Sequence, residues 1–417
     1  MRRVVVSGMV GNALEWYDFA LYGHLAVLLS QHFFPSDNPT TSLLATYGTF
    51  AAGFLIRPLG AVLFGYLGDT YGRKHSLAIS IMMMAIPTAC IGLLPTYAQI
   101  GIWAPILLTI IRLLQGLSLG GEFSGSITFI VEHSKDHKRG LAGYASFASL
   151  VIGMLMGSLT ATLVAKAMSP ADFESWGWRL PFLFGIVIGV VGFYIRHHTH
   201  ESPKYTEHKE AGTISKTPVR EAFRKHPWAM MQAVGIYLTG TVSFYTLFVF
   251  MLGFLTKTLH HPYEDALLIN VITSLVVLAS SFVSAYLSDT VGRKRILIAA
   301  TIGFVVLCYP IFLATTTGGF WQVLAAQTVF AILMGTYFAP IPAILVELFP
   351  TSVRYTGMAI SYNLSAALFG GTLPMLATWL IERTGNHMVI AFYVMIAATL
   401  SLITLLFYRD RYLEPLD

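Results

Sequence analysis

Three apolar runs of this chain carry polar and ionisable groups at helical spacing. In Gly11-Asn12-Ala13-Leu14-Glu15-Trp16-Tyr17-Asp18-Phe19-Ala20-Leu21-Tyr22-Gly23, the residues Asn12, Glu15, Asp18 and Tyr22 recur at three- and four-residue steps and form one stripe. The run Phe54-Leu55-Ile56-Arg57-Pro58-Leu59-Gly60 holds a single arginine, Arg57. In Arg112-Leu113-Leu114-Gln115-Gly116-Leu117-Ser118-Leu119-Gly120-Gly121-Glu122, the spacing puts Arg112, Gln115 and Glu122 on one helix face. Within a bilayer each ionised group costs at least about 2.5 kcal/mol, so such groups pair, bind a charged ligand or carry protons. Arg57 is the expected partner of Glu15 or Asp18. Two carboxylates beside one arginine leave an acid that can take a proton reversibly, which makes Glu15, Asp18 and Glu122 the proton-coupling candidates; the competing reading is a static ion pair. Arg112 has no local partner within its own helix and suits an anionic group. Asn12, Tyr22, Arg57, Arg112 and Gln115 are the candidate substrate contacts of this half.

The elements that must position these groups are membrane spans. The chain is 55% hydrophobic and 11% charged, with a mean hydropathy of +0.66, a balance foreign to soluble globular proteins. Apolar stretches of about 20 residues, the length that crosses a bilayer, begin near positions 8, 43, 76, 103, 140, 180, 228, 266, 296, 321, 355 and 387. The fold expected is all-α and integral to the membrane, with twelve transmembrane helices in two pseudo-symmetric six-helix bundles. The longest polar stretch sets the boundaries: a bundle over 1–196, a cytoplasmic linker over 197–226, and a second bundle over 227–417. Lys and Arg accumulate on the cytoplasmic side of short loops. Of the 26, 20 fall at the N-terminus, after even-numbered spans or in the tail; Lys166, Arg179, Lys257 and Arg383 lie opposite, and Arg57 and Arg112 lie inside spans. Both termini are therefore expected in the cytoplasm. The net charge of +5 is spread over membrane-flanking loops, which argues against a nucleic-acid partner. The run after Arg2 and Arg3 contains Asn12, Glu15 and Asp18 and reads as a retained first span rather than a cleaved signal.

The two halves are copies of one design. Gly65-Tyr66-Leu67-Gly68-Asp69-Thr70-Tyr71-Gly72-Arg73-Lys74 returns as Ala285-Tyr286-Leu287-Ser288-Asp289-Thr290-Val291-Gly292-Arg293-Lys294, and Val131-Glu132 followed by Arg139 returns as Val346-Glu347 followed by Arg354. Repeats this far apart, each flanked by long apolar runs, mark duplicated membrane bundles rather than a solenoid. Asp69 and Asp289 fall at span ends, where a carboxylate can accept hydrogen bonds or sit near a helix N-terminus, and Gly72 and Gly292 permit a tight turn. With Arg73, Arg293, Glu132, Arg139, Glu347 and Arg354 they are expected to form ion-pair clusters that close one face and break when the halves separate.

The second half has fewer buried charges and more aromatics. Tyr237, Thr241, Phe244 or Tyr245, and Phe248 fall near one face of the seventh span; such a stripe packs, or its rings line a cavity suited to a cationic head group. Asn363 is a candidate polar contact, and Pro340, Pro342, Pro374 and Gly370-Gly371 mark kinks or hinges. Cys90 and Cys308 lie in apolar spans and read as packing residues. The histidines cluster in loops, and no Cys/His spacing points to a metal; no cofactor is expected.

Taken together, the Asp-x-x-Gly-Arg-Lys loops, the repeated six-span halves and Arg112-x-x-Gln115-Gly116 resemble the major facilitator superfamily. The segments from Gly11 to Phe19 and from Phe54 to Gly60, with Gly120-Gly121-Glu122, resemble its metabolite:proton symporter branch, which includes proline/betaine, α-ketoglutarate, citrate and shikimate carriers. Similarity to proline/betaine carriers extends to Ile100-Gly101-Ile102-Trp103-Ala104-Pro105-Ile106-Leu107-Leu108 and Trp176-Gly177-Trp178-Arg179-Leu180-Pro181-Phe182. The resemblance covers essentially the whole chain. It implies that Asp69, Gly72, Arg73 and their second copies gate, and that the charged groups of spans one and four bind and couple. The implied activity is proton-driven import of a small zwitterionic or anionic metabolite by alternating access, in a bacterial inner membrane and by a monomer. Alternatives are a mono-, di- or tricarboxylate symporter, a proton antiporter that exports its substrate, and, in a different class, a non-transporting membrane sensor, whose expected output domain is not seen. No loop carries a catalytic constellation, so an enzyme is not expected. Because the tail ends at Asp417, regulation through a long helical tail, as in some osmosensing carriers, is not expected either.

Overall fold

The computed structural model describes residues 2–416, and the regular structure among them is entirely helical. Twelve long helical segments follow one another: Arg2–Phe33; Pro39–Leu55 continued by Arg57–Tyr71; Arg73–Leu93; Trp103–Glu132; Arg139–Ala167; Arg179–His197; Pro227–Thr258; Tyr263–Val291; Arg293–Thr317; Phe320–Leu348; Arg354–Thr384; and Val389–Phe407. They are called spans one to twelve below. Eleven contain a stretch long and apolar enough to cross a membrane. Span one falls outside that group because Glu15, Asp18 and its histidines dilute its hydropathy, yet at 32 residues it measures about 48 Å, ample for a bilayer. It packs against spans two, three, four and six, which shield its polar stripe from lipid.

The described residues form two compact units. The first comprises 1–133, 148–222 and 351–360; the second comprises 134–147, 223–350 and 361–417. Each unit thus takes in a short segment from the other half of the sequence. In the first unit span three packs on spans four and six, span two on four, and span one on six. In the second the same pairs recur six places on: nine with ten and twelve, eight with ten, seven with twelve. The duplication read from the motifs is therefore repeated in the packing.

Prolines and small residues break the spans at defined places. Span two is interrupted at Ile56, directly before Arg57-Pro58, where Pro58 has no N–H to donate to the preceding turn. Span ten is interrupted at Ala339 and Pro340 and resumes at Ile341, and span eleven passes through a wide turn over Ala366–Gly370 before resuming at Leu373. Span seven carries two such wide turns, Thr246–Phe250 and Phe254–Thr258. Wide turns of this kind leave a helix locally underwound and recur at functional sites.

Gly72 and Gly292 join spans two to three and eight to nine at φ of 112° and 105°, a region that side-chain-bearing residues avoid. Spans two and four touch backbone to backbone: a Cβ on Gly116 would strike the Gly53 carbonyl, and one on Gly120 the backbone of Arg57, Gly60 and Ala61. That approach lets side chains of span four reach across the bundle interior. Gly120→Val is expected to cost about 1–3 kcal/mol or more by overpacking, read as a lower melting temperature in detergent. Gly23→Ala, where an added Cβ meets nothing within 4 Å, is the control expected to melt at or slightly above the parent protein.

Candidate functional site

Asp18 is the hub of the first unit's interior. Its Oδ2 pairs with Arg112 Nη1 of span four at 2.5 Å, and its Oδ1 accepts hydrogen bonds from Gln115 Nε2 and Thr88 Oγ1, each at 2.9 Å. Gln115 also donates to Thr88 at 2.8 Å, so spans one, three and four meet at one buried carboxylate. The Arg112 guanidinium lies 3.8 Å from the centroid of the Tyr22 ring, whose hydroxyl donates to the Thr46 carbonyl at 3.0 Å. With Nη1 committed to Asp18, Nε and Nη2 of Arg112 have no hydrogen-bond partner among the described residues. Asn12, three residues before Glu15, donates to Ser126 at 3.0 Å.

Of the two partners expected for Arg57, Glu15 or Asp18, the second is taken by Arg112. Arg57 lies over the Phe54 ring at 5.3 Å and is the charged neighbour of Glu15. The reason is reach: the close approach at Gly116 and Gly120 brings span four onto span two, and Arg112 extends from it to span one. Glu15, Asp18, Arg112 and Gln115 line one cavity with Phe19, Phe50, Phe54 and Leu119. Its volume of about 10 Å³ has room for about one water molecule.

Glu122, on the same face of span four, is committed elsewhere. Both its oxygens pair with Arg196 and one accepts from Ser80. Arg196 also donates to the carbonyls of Ser7 and Leu77, and the Gly11 position leaves no room for a Cβ beside this pair. Arg196 was not among the sequence candidates; at the end of an apolar run it reads as an orientation charge. Its register was the available signal: Gly185, Gly189, Gly192 and Arg196 all fall on the buried face of span six.

The duplicated motifs form two clusters of like design. In the first unit Arg73 pairs with Asp69 at 3.2 Å and Glu132 at 3.3 Å, and Glu132 also pairs with Arg354 at 2.8 Å. Asp69 accepts from the backbone N–H groups of Tyr355 and Thr356, at 3.2 and 2.8 Å, in the first turn of span eleven. In the second unit Arg293 pairs with Asp289 at 3.4 Å and Glu347 at 2.9 Å, and Glu347 also pairs with Arg139 at 2.8 Å. Asp289 accepts from Gly140 and Leu141 N–H, at 2.8 and 3.0 Å, in the first turn of span five. Each aspartate therefore sits at the positive end of a helix dipole. Each glutamate takes the arginine of the other sequence copy, not the one that follows it along the chain. The geometry accounts for this, since the helix that begins at Arg139 or Arg354 is capped by the aspartate of the opposite copy.

The polar stretch after span six takes part in the first cluster. Ser202 donates to Glu132, the Glu201 carboxylate accepts from Lys74 N–H at 3.1 Å, and Tyr205 donates to the Thr70 carbonyl at 2.8 Å. The stretch after span twelve matches it, with Asp410 accepting from Lys294 N–H at 2.9 Å. Burial raises the Tyr205 phenol above its ordinary range.

In the second unit Tyr237 packs edge-on against Tyr362 at 4.8 Å and Phe338 at 5.7 Å, Phe244 lies against Phe248, and Tyr245 lies against Gly370. Tyr237, Tyr245 and Asn363 are all buried. The stripe is thus built into the packing of spans seven, ten and eleven.

The exchange of arginines has a thermodynamic signature. Glu132→Gln and Arg354→Gln are each expected to lower the melting temperature, and the double variant to fall little further, a coupling of about 1–3 kcal/mol. For Glu132→Gln with Arg139→Gln the two losses should add.

Residues 4–217 match the family described as Sugar (and other) transporter, and residues 233–416 match the Major Facilitator Superfamily. The chain is 35% identical to the proline/betaine transporter of Escherichia coli (strain K12), over 100% of this chain and 85% of that protein. The glycine betaine/proline/ectoine/pipecolic acid transporter of Dickeya dadantii matches at 35% over the same shares. The shikimate transporter of Escherichia coli (strain K12) matches at 33%, over 98% of this chain and 94% of that one. The solved structure of the proton:xylose symporter XylE bound to 6-bromo-6-deoxy-D-glucose shares the fold, with a TM-score of 0.82 at 17% identity over 98% of this chain and 96% of that one. The relatives are transporters rather than enzymes, and the chain is a multi-pass membrane protein that handles a small molecule. It belongs to the major facilitator superfamily, in its metabolite:proton symporter branch.

Proposed function

We propose that this protein imports a small zwitterionic or anionic metabolite of the proline/betaine type by proton symport and alternating access. It acts as a monomer in a bacterial inner membrane, with both termini in the cytoplasm. The observation that carries the reading is Arg112: Asp18 holds it in place and neutralises it in part, while two of its N–H-bearing nitrogens stay uncommitted beside a cavity. A planar guanidinium held in this way suits a carboxylate, the group common to proline, betaine and shikimate. Asn12, Tyr22 and Gln115 position it; within the second unit, Tyr237, Tyr245 and Asn363 are proposed as substrate contacts. The two ion clusters are proposed as gates: each releases its exchanged segment, 351–360 or 134–147, when the carrier changes state, so their strength biases the two states. A mono- or dicarboxylate substrate is the second reading, favoured by the same arginine and by the similarity to a shikimate transporter.

The test is uptake into proteoliposomes of labelled proline, glycine betaine, α-ketoglutarate, citrate and shikimate, with and without an inward proton gradient and a protonophore. Gradient-dependent accumulation of proline or glycine betaine is expected. Accumulation driven by an outward-directed exchange, or flux indifferent to the gradient, would overturn symport. Arg112→Lys should raise KM by about 10- to 100-fold, the worth of a charge-assisted hydrogen bond of about 1.5–3 kcal/mol; an unchanged KM would remove Arg112 from recognition.

A further inference from the structure

Apart from Asp69 and Glu132 of the ion cluster, the buried carboxylates described in the first unit are Glu15, Asp18 and Glu122, and they are not equivalent. Asp18 is held by Arg112, Gln115 and Thr88, and Glu122 by Arg196 and Ser80. Glu15 is 1% exposed, and neither of its oxygens has a hydrogen-bond partner among the described residues. It lines the same cavity as Asp18 and Arg112.

We infer that Glu15 carries the coupling proton, while Asp18 and Glu122 remain ionised as fixed partners of Arg112 and Arg196. The inference rests on the proton-symport reading above. An ionised carboxylate without donors bears its whole desolvation cost, whereas a neutral carboxyl bears only that of a weak dipole. The charges that face Glu15 are Arg57 from span two and Glu122 from span four, with Asp18 of its own span and Arg112 of span four across the cavity. Arg196 of span six offsets Glu122, and Asp18 offsets Arg112. Protonating Glu15 removes one negative charge from the cavity that Arg112 also lines, which favours a substrate carboxylate beside Arg112. The proton and the carboxylate therefore favour each other's binding, and the linkage is reciprocal. In the step itself a proton from water on one side forms an O–H bond with a Glu15 carboxylate oxygen and returns to water on the other side, and no other bond changes.

The experiment compares the parent protein, Glu15→Gln, Glu15→Asp and Asp18→Asn in proteoliposomes with labelled proline and glycine betaine. Exchange against preloaded compound, gradient-driven accumulation and proton uptake on binding in detergent are all read. No gradient-driven accumulation by the parent protein would defeat the symport reading itself. Given that accumulation, Glu15→Gln should exchange substrate yet lose accumulation at least tenfold, and bind it without taking up a proton. Asp18→Asn should weaken binding and so reduce both transport modes. Accumulation by Glu15→Gln at the parent level would overturn the assignment. If Glu15→Gln fails in both modes, Glu15→Asp decides: accumulation with a displaced pH profile supports the assignment, and an undisplaced profile or a folded but inactive protein overturns it.

Discussion

A charge in a membrane-spanning bundle must find its countercharge within the bundle, because lipid offers none, and the described interior of this protein is arranged around that requirement. Arg112 meets Asp18, Arg196 meets Glu122, Arg73 and Arg354 share Glu132, and Arg293 and Arg139 share Glu347. Breaking a buried pair of this kind costs about 3–5 kcal/mol, far more than forming it contributes. The pairs therefore serve less to stabilise the fold than to define which helix faces meet. Glycines at the span two and span four contact, and at Gly11 beside Glu122, keep the backbones close enough for these short-range matches.

The span count, the duplication and the polar stripes are legible in the sequence because each is a periodic or repeated feature. Hydropathy marks a span by length alone, and the second copies of Asp69, Arg73 and Glu132 stand at matching offsets. The breaks near Pro340 and Gly370 are local backbone chemistry, which the sequence signals; the break before Arg57-Pro58 is of the same kind and is seen in the structure. Partner choice is not local. Asp18 pairs with Arg112 rather than Arg57 because of how closely spans two and four approach, a distance set by several glycines acting together. Arg196 is hard to read as a site residue since a basic residue at a span end has an ordinary explanation in membrane topology, and only its register with three glycines argues otherwise.

The two clusters also show what a sequence repeat conceals. The interval from Glu132 to Arg139 equals that from Glu347 to Arg354, which invites the reading that each copy closes its own network. In the structure the interval is instead the point at which the chain passes from one compact unit to the other. The helix N-terminus that follows needs an anion, and the aspartate of the opposite copy supplies it through two backbone N–H groups.

That exchange bears on how such a protein arose. A polypeptide consisting of one half alone would hold a glutamate that lacks its second arginine and a helix end that lacks its cap. Two such polypeptides could satisfy each other by trading the same short segment, as domain-swapped dimers do. In the present chain the same trade is made within one polypeptide, so each half completes its network with a segment drawn from its twin.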